Sequence, residues 1–313
     1  RWGVSTHEGV QRLAPRLRNW GRWGPDDEIG TLNFITPEKR IAAAALVRRG
    51  DIFSLAIPLD ADGPNGSSLR PNPFHMMTAT GVDTVQPFVF AGGARYTDDA
   101  IFMPLQSTTQ WDSLAHVYYD GQLYNGYSSG EVDSRGAQRD GIDKTHDRYV
   151  SRGVLLDVAR AQGVECLDPG FDITGEVLEA TATAQGVSVG EGDIVVLRAG
   201  AMADWVKTGS WSQFQGPRSG VVFSTAEWLH DLRVAAIAGD VVEKVEVIQS
   251  GTLATPFHML ALRDMGMCIG ELWFVEELAE DCAADGVYEM FLAAQALPVT
   301  GGVGSPVNPI AIK

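Results

Sequence analysis

Hydrophobic residues along the chain come in short runs set off by glycine, proline and aspartate, and the period within each run decides which element it predicts. The stretch Gln106-Ser107-Thr108-Thr109-Gln110-Trp111-Asp112-Ser113-Leu114-Ala115-His116 has the clearest pattern. In an extended strand alternate side chains share a face, so Gln106, Thr108, Gln110 and Asp112 form one polar row, with Thr109 and Trp111 turned the other way. On a helix, at about 100° per residue, the step from Gln106 to Asp112 ends roughly 240° around and breaks the row. The polar groups therefore read as the inner edge of a site, with His116 just beyond it.

The flanking pattern is looser. Trp2, Trp20 and Trp23 among arginines and glycines, followed by Gly24-Pro25-Asp26-Asp27, predict an irregular lead-in. A helix over 37–49 follows, capped by Thr36 and stopped by Gly50, then a strand over 52–59. Residues 60–75, rich in Gly, Pro and Asn, read as a functional loop whose Arg70 and His75 could roof a pocket. Residues 117–127 read as a loop packed by its own tyrosines, and 128–150 as a polar, mobile segment.

Further strands are expected over 152–158, 193–198, 234–238 and 287–297. Helices are expected over 173–184 with Asp172 as cap, from a Ser224–Glu227 capping box, and around 275–282. Thr255-Pro256 opens a helix that runs through Asp264 to Gly266 and carries His258 in its first turn. A strand over 267–270 then delivers Glu271. This alternation predicts one α/β domain over 1–313, a mixed β core with flanking helices, with 1–100 as an N-terminal wrap and pocket-loop region.

Composition narrows the function. The 313 residues are 45% hydrophobic, enough for a large core, and carry 40 Asp+Glu against 24 Lys+Arg, a net charge of −16. That balance argues against sequence-independent nucleic-acid binding. No apolar run has membrane-spanning length. Cys166, Cys268 and Cys282, without a CxxC pair, read as reduced thiols in a cytoplasmic protein. No basic-then-apolar leader is visible, although a sequence that begins at Arg1 leaves room for a trimmed one.

Serine-hydrolase, Walker and dinucleotide-binding signatures are absent. What remains is Asp112, His116, His258 and Glu271, a carboxylate–imidazole set that suits Zn²⁺ or Mn²⁺, or else four satisfied core and surface groups.

The stretch from Gln106 to His116 resembles the motif His-x-Gly-Thr-His-x-Asp-x-Pro-x-His of the metal-dependent cyclase family, which includes bacterial kynurenine formamidase and isatin hydrolase. In that register the family's first two histidines fall on Gln106 and Gln110, its aspartate on Asp112 and its last histidine on His116. Thr109 is kept, while Thr108 and Leu114 replace the Gly and the Pro. Arg152-Gly-Val-Leu-Leu-Asp157, Gly192-Asp193-Ile-Val-Val-Leu197, Ser224-x-x-x-Trp228-Leu229 and Thr255-Pro-Phe-His258…Ile269-Gly-Glu271 resemble family segments in the same order. The two glutamines, with Asn19-Trp-Gly-Arg-Trp-Gly-Pro-Asp-Asp-Glu-Ile-Gly-Thr-Leu-Asn33, are similar to a longer branch that includes zinc-dependent trans-dienelactone hydrolases.

The resemblance implies a swivelling β/β/α-like fold and one divalent ion, Zn²⁺ or Mn²⁺, held by Asp112, His116, His258 and Glu271. Gln is a weak donor, so Gln106 and Gln110 are expected to border a vacated second-metal position and donate to substrate, with weak direct ligation as the competing reading. The implied chemistry is hydrolysis of a small lactone, cyclic amide or aryl amide by metal-activated water, with Glu271 as general base ahead of His75. A carboxylate-bearing substrate would call on Arg70, Arg152 or Arg198. A lyase or cyclase at the same site and a non-catalytic small-molecule binder are the rivals. An oligomer of identical chains is expected.

Overall fold

The apolar runs Val154-Leu155-Leu156, Ile194-Val195-Val196-Leu197 and Ala236-Ile237-Ala238 are buried throughout, as strands covered on both faces of a parallel sheet must be. In the computed structural model, which describes residues 4–65, 70–83, 85, 90–211, 214, 216–244, 246–248 and 252–313, they belong to a nine-stranded sheet. Its strands are β1 (Ile52–Ser54), β2 (Gln110–Asp112), β3 (Val150–Asp157), β4 (Ile194–Arg198), β5 (Ala236–Gly239), β6 (Cys268–Glu271), β7 (Glu289–Ala293), β8 (Gly304–Pro306) and β9 (Ile310–Ile312). The spatial order is β1-β9-β7-β3-β4-β5-β6-β2-β8. β3 to β6 run parallel. β2 joins β6 antiparallel, and β8 joins β2 in the same sense. The fold is thus a single mixed α/β domain, as expected.

The helical crossovers follow the chemistry of their ends. Thr36 accepts from Lys39 N at the start of α2 (Pro37–Ala44), which stops well short of residue 49. Helix Gly175–Gln185 is capped by Thr174 and not by Asp172, which pairs with Gly220 in a short parallel bridge. Helix Thr225–Asp231 forms, yet Ser224 accepts no capping bond. Pro256–His258 starts a helix that continues as the π-helical turn Met259–Met265 and ends at Gly266 in the left-handed region.

The lead-in departs most from expectation. Residues Val4–Leu17 form helix α1, with Val10, Leu13, Ala14 and Leu17 buried at helical spacing. The segment after it is tied to the π-helical turn: Asn19 Nδ2 donates to Met265 O at 2.9 Å and Trp20 Nε1 to Arg263 O at 2.8 Å. Gly30 makes this approach possible, because a Cβ on it would lie 2.0 Å from Gly266 O. Residues 128–150 form tight turns anchored by Ala137 N to Gly301 O and Ile142 N to Gly302 O, each 2.8 Å. The loop over 60–75 includes 66–69, outside the described residues. Among the described residues no helix is long and apolar enough to cross a membrane.

The polar row is shorter than expected. Gln110–Asp112 is extended, whereas residues 105–109 turn, with Ser107 N donating to Pro104 O at 3.2 Å. Trp111 anchors the strand on the opposite face: it is fully buried, stacked on Tyr149 at 4.4 Å and set edge-on to Trp273 at 5.1 Å.

Below the turn that follows β2 lies Asp140, in the left-handed region at φ 58°. Its carbonyl accepts from Ala115 N and its amide donates to Glu28 Oε2. Both carboxyl oxygens are buried and, among the described residues, unpartnered. Burial, then Glu28 and Asp27, push its pKa up to about 9. The folded protein keeps a proton that the unfolded chain releases above about pH 4, so this group's contribution to stability falls as pH rises from about 4 to 9. Asp140→Asn removes that decline. Its melting temperature is expected to exceed the wild type's at pH 8 by at least about 2 °C, with the gap closing by pH 5, in scans at the two pH values.

Candidate metal centre

Cross-strand partners share a face, and the β2–β6 register sets Gln110 opposite Glu271 and Asp112 opposite Ile269. Pairing therefore places the Gln110, Asp112 and Glu271 side chains together. His258 reaches the same point from the helix start. Its Nε2 lies 3.6 Å from Asp112 Oδ2 and 3.5 Å from Glu271 Oε1, and one donor atom from each residue falls within 4.8 Å of the others. His116 Nε2 lies 3.8 Å from Asp112 Oδ1.

These separations are long for hydrogen bonds, which favour 2.7–3.2 Å. They suit atoms that share an ion: donors about 2.1 Å from a tetrahedral centre stand about 3.4 Å apart.

The imidazole is held by Glu243. This buried carboxylate accepts from Phe257 N at 2.6 Å, His258 N at 3.3 Å and His258 Nδ1, filling the open amides of the helix start. Spending Nδ1 on a carboxylate turns Nε2 toward Asp112 and Glu271, as in carboxylate–histidine–metal arrangements. Burial raises the Glu243 pKa despite these donors. Burial acts to lower that of His258, but Glu243, Asp112 and Glu271 outweigh it and raise it well above the usual imidazole value. For Asp112 burial acts upward, and His116, His258 and Arg70 together hold the carboxyl below its usual range. The field thus favours positive charge at one point, as a proton on Nε2 or a cation in its place.

Unspent polar atoms lie on β2 and in the turn before it. Gln110 Nε2 donates to Asp112 Oδ1 at 3.3 Å, while Gln110 Oε1, Gln106 Nε2 and Thr108 Oγ1 are buried and unpartnered among the described residues. Gly304 leaves room for Gln106, since a Cβ there would lie 2.4 Å from its Nε2. Glu271 is the most accessible of the three clustered residues, its side chain 30% exposed. The donor set, the committed Nδ1 and the idle amide oxygen fit a divalent ion.

His75, Arg152 and Arg198 go elsewhere, whereas Arg70 stays at the site. His75 sits on an exposed hairpin (Phe74–Ala79 with Asp98–Phe102), paired with Asp99 at 2.8 Å. Arg152 bridges Asp193 and Glu289, and Arg198 bridges Asp157 and Glu276, so both are structural. Arg70 Nη2 approaches His116 Nε2 at 3.5 Å. Glu243 had no signal of its own: the helix start at Thr255-Pro256 calls for an acidic partner, but the partner arrives from a different loop.

The pattern of the family described as "Putative cyclase" matches residues 53–243, and the chain belongs to that family. It is similar to a solved structure described as a novel cyclase, with 42% identity over 95% of this chain and 100% of that one and a TM-score of 0.88. Isatin hydrolase A from Ralstonia solanacearum shares the fold at 15% identity and a TM-score of 0.61, covering 89% of this chain and 98% of that one. A structure described as a potential metal-dependent hydrolase with cyclase activity does so at 12% identity and 0.51, covering 83% and 98%. No curated protein matches the chain.

Glu243→Gln tests the support of His258. The substitution should weaken the binding of an added divalent ion by about 10–100-fold, read by chelator competition, with the circular dichroism spectrum unchanged.

Proposed function

We propose that this protein is a metal-dependent hydrolase of a small lactone, cyclic amide or aryl amide, with Zn²⁺ or Mn²⁺ held by Asp112, His258 and Glu271 and completed by His116. The observation that carries the reading is His258 Nε2, freed by Glu243 and set at ion-sharing distance from two carboxylates. Resemblance to the trans-dienelactone hydrolase branch favours a lactone.

A divalent ion held by these residues would supply Lewis acidity, lowering the pKa of a water molecule to about 7 and polarising the acyl oxygen. The chain's own groups do the rest. Glu271 presents Oε1 to His258, and its second oxygen is assigned the proton of the attacking water. Gln106 Nε2 donates to the acyl oxygen or to a substrate carboxylate. Gln110 steadies Asp112 through Nε2. The relative described as a cyclase keeps ring closure in view, and a lactone and its open acid assayed in both directions separate the two.

Asp112→Ala and His258→Ala should each abolish turnover and stoichiometric metal, by assay on a lactone panel and elemental analysis. Full activity in a metal-free variant would overturn the reading. Gln110→His restores an imidazole at the vacated position, and two ions per chain are expected in place of one.

A further inference from the structure

Among the described residues Arg218 is a cation whose side chain makes no hydrogen bond or ion pair. Arg218 lies three residues before Val221, whose backbone bridges to Glu243, the residue that holds His258. Val221 N donates to Val242 O at 2.7 Å and Lys244 N to Val221 O at 3.1 Å. The Arg218 segment is therefore registered against the support of the site.

The guanidinium is half-buried, 5.8 Å from the Phe214 ring. Its Nε is buried and unsatisfied, and among the described residues the side chain has no hydrogen-bond or ion-pair partner. Burial lowers its pKa, opposed by the charge of Glu271, and the Phe214 ring beside it packs in one cluster with Leu272, the neighbour of Glu271. Arg152 and Arg198 each hold two carboxylates. An unpaired, desolvated guanidinium is costly, and a chain with 40 acidic residues had ample means to pair it.

The wall beside it is aromatic. Phe214 sets edge-on to Trp211 at 5.6 Å, and Trp211 stacks on Trp205 at 4.6 Å. Phe214, Trp211 and Phe274 pack on Ile57, Met202 and Leu272, the residue after Glu271.

We propose that Arg218 is the receptor for a carboxylate on the substrate, so that the substrate is an anionic, planar ring compound bound between the aromatic wall and the metal centre. A guanidinium suits this role because its planar fork meets a carboxylate with two parallel hydrogen bonds. For the reaction the inference rests on the hydrolase reading; for binding it does not.

Benzoate and benzamide, alike in ring and different in charge, are the probes, titrated calorimetrically into the metal-loaded protein. Wild type should bind benzoate at least about tenfold tighter than benzamide, and Arg218→Met should erase the preference. Arg218→Lys, which keeps charge without the fork, should retain part of it, and decides the matter if the Met variant fails to fold. With a carboxylate-bearing lactone as substrate, Arg218→Met should raise KM more than it lowers kcat. A wild type that does not discriminate overturns the proposal. So does a preference that survives in the Met variant, which would put the carboxylate on the metal. Loss of the preference in a protein that opens no lactone or amide would leave the receptor standing and remove the hydrolase reading alone.

Discussion

The antiparallel pairing of Gln110–Asp112 with Cys268–Glu271 is the contact on which the rest depends. It joins a three-residue strand to the end of a parallel sheet, and its register alone decides that Asp112 and Glu271 share a face. A slip of one residue would turn Trp111 into the cluster and Asp112 into the aromatic core. Trp111 prevents that slip: stacked on Tyr149 and hydrogen-bonded through Nε1 to Ala294 O at 2.7 Å, it can occupy only the apolar side.

Around that pairing the protein gathers negative charge it cannot pair internally. Asp112, Glu243 and Glu271 converge on one imidazole, and only Glu243 is well supplied with donors. An arrangement of this kind is stable when something positive stands in it. Structural ion pairs elsewhere, such as Lys39 and Arg152 on Asp193, lack that openness, since each carboxylate there already has its cation.

Much of this was legible in the sequence because it depended on local rules. Even-numbered spacing marked Gln110 and Asp112, Thr255-Pro256 marked the helix that carries His258, and a short apolar run before Glu271 marked its strand. The failures came where tertiary contacts overrode local preference. Gln106 stands in a turn because Gly304 receives it. Asp172 gave up its cap to Thr174 because Gly220 pairs with it. Glu243 reaches His258 from a different loop. Helix Val4–Leu17 is a different case: its apolar residues recur at helical spacing, and the tryptophans and glycines after it drew the reading toward irregular structure.

Both neighbours of Gln110–Asp112 come much later in the chain, and Trp273 Nε1 reaches the Gln110 carbonyl across 163 residues of sequence. At roughly 5–20 residues per second on the ribosome, that strand waits on the order of ten seconds before its first strand partner is made. Such long-range closure is slow and exposes the chain to wrong associations. It also ties chemistry to completion: a nascent chain that ends before Cys268 has Asp112 and His258 but no strand to bring them together, so the donor set cannot assemble on an unfinished product.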